Sequence, residues 1–167
     1  MHREGHVGAA LLAYAPVGFV AAAAGFRFLS LIGGVGVAGL AMLPDYDQKI
    51  PGVHHRGPTH TVWFAVAVGV VGAVVGGAVG WSTGVVASVG LAAFGFVVGG
   101  VTIGSHIAAD ALTPAGVRPF APVRTRRYTY DVTKAKNPIA NYALLGIGAV
   151  VAMVGVGAGV RVAGLVG

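Results

Sequence analysis

The sequence contains no cysteine and only five acidic residues in 167. Without thiols it forms neither disulfides nor thiolate metal sites, which leaves histidine, aspartate and glutamate as its strong metal-ligating side chains. Charge of either sign is scarce. Asp, Glu, Lys and Arg make up 10% of the chain, against about 25% in a soluble domain. Hydrophobic residues reach 56% and the mean hydropathy is +0.81, so there are too few polar groups to cover a water-facing surface. These shortages exclude an ordinary soluble fold and predict a single integral membrane domain over residues 1–167, all-α and polytopic. The net charge of +6 would suit nucleic acid, but the basic residues sit beside apolar spans. Membrane lipids with anionic headgroups are therefore the expected partners, and nucleic acid is not.

Five apolar stretches approach the length of about 20 residues that a bilayer-crossing helix needs: Val7 to Gly25, Phe28 to Leu43, Thr61 to Gly80, Gly84 to Leu112 and Ile139 to Val160. Pro16 is expected to kink the first. The second is short and glycine-rich, and is expected to be thin, tilted or partly re-entrant. A secretory-signal reading of the first span is set aside, because cleavage would discard His6. Only Trp81, Ser82 and Thr83 join the third and fourth spans, which predicts an antiparallel hairpin. Gly72, Gly76 and Gly80 recur every fourth residue, as do Gly95 with Gly99 and Gly100 with Gly104. That spacing lets helix backbones approach closely in lipid, within one chain or between copies, so a homo-oligomer is left open. The spans lack the alternation of a membrane β-barrel and are about twice the length of its strands.

The ionisable groups are gathered. Of eleven acids and histidines, ten fall into three clusters: His2, Glu4 and His6; Asp45, Asp47, His54, His55 and His60; His106 and Asp110. With five spans, all three clusters meet at one membrane face. That face also carries Arg3, Lys49, Arg56, Arg118, Arg124, Arg126, Arg127, Lys134 and Lys136, leaving only Arg27 and Arg161 opposite. By the positive-inside rule the clusters face the cytoplasm across an inner or plasma membrane.

Each cluster has its own chemistry. Asp45 and Asp47 follow Pro44, which favours the end of a helix; two carboxylates at that spacing can share a cation, or one can bind it while the other orients a ligand. His106 and Asp110, four residues apart, stack on one helix face. His55, Arg56 and His60 stand directly before the third span, where Thr59 is the expected N-cap. His6 is expected to line the first helix toward the site, His2 to be solvated, and Glu4 to act as a ligand or as a favourable charge at a helix start. The Pro- and Gly-containing segment after Asp110 is expected to form an ordered, non-helical cap. Its Arg124, Arg126 and Arg127 set topology or dock headgroups.

The runs EGH at 4–6, LPDYDQ at 43–48, HRGPTHT at 55–61 and SHIAADALTPAGV at 105–117 together resemble the YdjM family of membrane-bound, metal-dependent hydrolases. The resemblance covers residues 4 to about 122. It implies an integral membrane protein with a hydrolase site at His6, Asp45, Asp47, His55, Arg56, His60, His106 and Asp110. Some members are described as associated with the LexA repressor, a property not carried over. The family often has His directly after the second Asp, where this chain has Gln48, so the expectation is that a ligand is either missing or supplied by His54.

Two functional readings follow. In the first, Asp45, Asp47, His60, His106 and Asp110 hold a divalent metal ion such as zinc, while His55, Arg56 and His6 serve catalysis in hydrolysis of a lipid-linked or phosphate ester. In the second, the same groups bind an ion or relay protons in a transporter or sensor. A metal-independent lipid phosphatase shares the His and Asp four residues apart, but its further Lys, Arg and Ser-Gly-His elements are absent.

Overall fold

A backbone crossing hydrocarbon must satisfy its own N–H and C=O groups, and long uncharged runs of Ala, Val, Leu and Gly do so as helices. The computed structural model describes residues 1–166 and contains five long helices: α1 (Arg3–Ala23), α2 (Arg27–Leu40), α3 (Val62–Trp81), α4 (Val85–Ala111) and α5 (Pro138–Val166). Two 3-10 segments, Leu43–Lys49 and Pro58–His60, lie between α2 and α3. Among the described residues there is no strand, only an isolated bridge between Val117 and Tyr128 in the cap after α4. All five helices are long and apolar enough to cross a membrane, α2 when counted through Lys49. The helix proper of α2 has 14 residues, about 21 Å against a hydrocarbon core of about 30 Å. That fits the expectation of a thin second span.

Boundaries differ from the apolar pattern for local reasons. α1 begins at Arg3 and runs through Pro16, so His6 lies inside a helix. The polar residues Arg3 and Glu4 conceal this start in a hydropathy reading. α3 begins at Val62 with Thr61 as its N-cap, whose side chain accepts a hydrogen bond from the Phe64 N–H at 3.3 Å. The expected cap, Thr59, is displaced because Pro58–His60 first makes a 3-10 turn.

Glycine governs the packing. A Cβ on Gly72, Gly76 or Gly95 would strike the carbonyl oxygen of Gly95, Leu91 or Gly72 respectively, and Gly80 and Gly99 are similarly closed off. The α3–α4 hairpin therefore rests on direct backbone contact, as the spacing predicts. Gly100 and Gly104 are a correction: a Cβ on either meets nothing within 4 Å. A second glycine seam, unseen in the sequence, joins α1 to α5, with Gly8 against Leu144, Gly148 against Gly8 and Gly159 against Phe19. Tyr14 ties α2 to α1 by donating to the Ser30 carbonyl at 2.6 Å, within a buried group of Ala10, Tyr14, Val37 and Ala41. Up-and-down connectivity then gathers the start of α1, the end of α2, the start of α3, the end of α4 and the start of α5 at one end of the bundle.

Candidate metal centre

The local sequence positions each donor. Pro44 stands at the start of the 3-10 turn after α2, and this turn delivers Asp45 and Asp47 to opposite sides of the His60 ring. Asp45 Oδ1 is 3.2 Å from His60 Nε2, and Asp47 Oδ2 is 3.4 Å from His60 Nδ1. The two carboxylates thus bracket an imidazole. His106 and Asp110 project from one face of α4, and His6 comes from α1. The rings of His6 and His106 stack with centroids 3.6 Å apart and an interplanar angle of 5°.

Hydrogen bonds fix which ring nitrogens face inward. His106 Nδ1 lies 2.7 Å from the Ala41 carbonyl. A carbonyl only accepts, so Nδ1 carries a proton, and in the neutral ring Nε2 is then a bare lone pair. Thr59 gives its hydroxyl proton to Asp47 Oδ2 at 2.8 Å, so it accepts from His60 Nδ1 at 3.0 Å. His60 Nε2 is bare for the same reason. In the neutral rings these two lone pairs face each other at 3.2 Å, a repulsive arrangement that a proton or a metal cation between them relieves.

The remaining distances match that need. Asp45 Oδ1 is 3.4 Å from His106 Nε2, and Asp110 Oδ2 is 3.6 Å from His60 Nε2 and 3.9 Å from His106 Nε2. Two nitrogens bound to zinc at tetrahedral geometry stand about 3.3 Å apart. Ligand atoms of Asp45, His60, His106 and Asp110 all lie within 4.8 Å of one another, so the group could hold a metal ion. Among the described residues, His6 Nδ1, His6 Nε2 and Asp110 Oδ2 are buried without a hydrogen-bond partner. Buried polar atoms left unpaired are costly, and a cation would satisfy the carboxylate oxygen.

Arg56 and Asp47 build the frame. Arg56 adopts φ 61, a left-handed conformation that costs a non-glycine residue energy. It turns the guanidinium onto Asp110 Oδ1 at 2.9 Å, Thr113 Oγ1 at 3.3 Å and the Gly116 carbonyl at 3.1 Å. The loop before α3 is thereby stapled to the end of α4. Asp47 is fully engaged, with Oδ1 receiving His55 Nδ1 at 3.0 Å and Oδ2 receiving the Arg56 N–H at 3.2 Å as well as Thr59. With His55 and His60 it forms a second group that could hold a metal ion.

All eight expected residues (His6, Asp45, Asp47, His55, Arg56, His60, His106 and Asp110) therefore meet at one place. His54 does not replace a ligand: it is exposed, as is Gln48, and among the described residues neither belongs to a group of ligand atoms that could hold a metal ion. Glu4 stays in the first turn of α1. Sequence reasoning missed the Met1 amino group, which pairs with Asp110 Oδ1. It also missed Asn141, a lone amide in α5 that accepts the His2 N–H at 3.1 Å. The amide among apolar neighbours was the available signal.

No curated protein and no solved structure matches the chain. The sequence profile described as YdjM inner membrane protein matches residues 1–166, a range that includes every donor of the centre. The chain thus belongs to the YdjM family of inner membrane proteins.

Proposed function

We propose that this protein is a metal-dependent hydrolase with its centre at the cytoplasmic face, acting on a lipid-linked or phosphate ester. The observation that carries the reading is the pair of inward lone pairs of His60 and His106, 3.2 Å apart, flanked by Asp45 and the unpartnered Asp110 Oδ2. Asp45, His60, His106 and Asp110 would hold a divalent ion, with zinc suited to this mix of imidazole and carboxylate. Such an ion supplies Lewis acidity and a nucleophile at neutral pH.

The chain's own residues supply the rest. Asp47 acts through His60, locking its tautomer as carboxylates do for metal-bound imidazoles. His55 stands at the mouth with its side chain 41% exposed. Asp47 holds its Nδ1, so Nε2 is the atom that moves a proton to or from substrate. Arg56 uses three of its five N–H donors on protein, leaving Nε–H and one Nη2–H for an anionic oxygen. His6, buried beneath His106, is out of reach of substrate and suits a flanking ligand better than a base.

The transporter reading is weaker because a polar route through the bundle is lacking among the described residues. The hydroxyls of Ser30, Ser88, Thr102 and Ser105 all donate to helix carbonyls. Elemental analysis of the detergent-purified protein, after saturation and removal of excess ion, should find about one tightly held divalent ion per chain, lost in His106→Ala. Hydrolysis of a chromogenic phosphate ester should follow metal content. Clearly sub-stoichiometric metal in the wild type would refute the reading.

A further inference from the structure

Beside the centre a cleft of about 1070 Å³ opens between the first turns of α3 and the cap that follows α4. It is slightly larger than the usual range for small-molecule sites, roughly 300–1,000 Å³. Its floor is continuous with the metal-binding group, because His55 and Arg56 belong both to its lining and to the contacts with Asp47 and Asp110. Its two walls differ in kind. The cap contributes Arg118 and Arg127, both exposed and neither in an ion pair with a carboxylate among the described residues. The helix contributes Trp63, Phe64 and Ala67. Trp63 and Ala67 are exposed and four residues apart, on the outward face of a bilayer-crossing helix.

A ligand that satisfies both walls must carry negative charge at one end and hydrocarbon at the other. Free phosphate would leave the aromatic wall bare, and a neutral lipid would leave the arginines unpaired. We propose that this cleft admits a glycerophospholipid with an anionic phosphate headgroup, drawn sideways from the bilayer. Arg118 and Arg127 hold its phosphate beside His55 and Arg56, and its acyl chain lies along Trp63, Phe64 and Ala67. This names the substrate class of the hydrolase centre and rests on that reading. It also makes Arg118 and Arg127 specificity-determining, because they select an acidic head before the ester reaches the metal-binding group.

The test uses the full chain in a nonionic detergent, titrated calorimetrically with dihexanoylphosphatidic acid. Wild-type protein should bind it at least tenfold more tightly than inorganic phosphate or dihexanoylphosphatidylcholine. The Arg118→Ala/Arg127→Ala variant should lose at least tenfold in affinity, and the charge-preserving Arg118→Lys/Arg127→Lys variant should keep most of it. Ala67→Trp, which fills the tail end of the cleft without touching a charge, should also weaken binding at unchanged metal content. Equal affinity for the three probes, or unaltered affinity in both the Ala double variant and Ala67→Trp, would overturn the proposal. Metal bound without lipid selectivity sinks this inference alone; lipid selectivity without metal sinks the hydrolase reading instead.

Discussion

Asp47→Asn is the most informative single change at the centre. The amide is nearly isosteric with the carboxylate, so the fold of the 3-10 turn should survive. Its oxygen can stay where Oδ2 receives the Arg56 N–H at 3.2 Å and the Thr59 hydroxyl at 2.8 Å. Its NH2 then replaces Oδ1 and meets His55 Nδ1 at about the former 3.0 Å, which the ring accommodates by switching tautomer. What is lost is the negative charge that polarises the Thr59 hydroxyl and, through it, His60 Nδ1. Hydrogen bonds to charged groups contribute about 1.5–3 kcal/mol and neutral ones about 1, so each bond to the side chain should weaken by about 0.5–2 kcal/mol. Removing a group that orients a ligand costs about 10- to 100-fold in metal affinity, or about 1.4–2.7 kcal/mol. Competition with a chromophoric zinc chelator in detergent, run beside His106→Ala, measures this directly. Wild-type affinity in Asp47→Asn would refute the orienting role. Metal loss as complete as in His106→Ala would instead make Asp47 a direct ligand.

Two further predictions concern the scaffold. Gly76→Val puts a branched side chain against the Leu91 carbonyl and should lower hairpin stability by about 1–3 kcal/mol, whereas Gly100→Val, in open space, should leave the melting temperature in detergent nearly unchanged; equal shifts would contradict the assigned seam. Thr61→Ala removes the N-cap of α3 and should cost about 1 kcal/mol by thermal unfolding, with Thr59→Ala acting instead on metal affinity.

Much of the design was legible because the sequence is so poor in polar groups. When nearly every acid and histidine lies in three short runs, the parity of the spans alone brings those runs to one face. The meeting of Asp45 with His106 and Asp110 therefore followed from connectivity, without side-chain detail. Roles were harder. That Asp45 and Asp47 face opposite edges of His60 depends on a 3-10 turn, which a spacing of two does not distinguish from an extended segment. The cap of α3 moved from Thr59 to Thr61 because an intervening Pro58 turn spent the first threonine on Asp47. The α1–α5 seam went unread because its glycines, Gly8 and Gly148, are separated by almost the whole chain and share no periodic signature.

That seam bears on biogenesis. α5 lends no donor to the centre, yet it follows α1 to α4 in the chain and its Asn141 fastens the backbone just ahead of His6. Until it docks, the glycine stripe of the first helix has no partner, and Tyr14 and the His6–His106 stack are what hold that helix to α2 and α4. A nascent chain with α1 to α4 inserted would own every donor and still lack this seam, so α5 acts as a clasp on a helix made well before it.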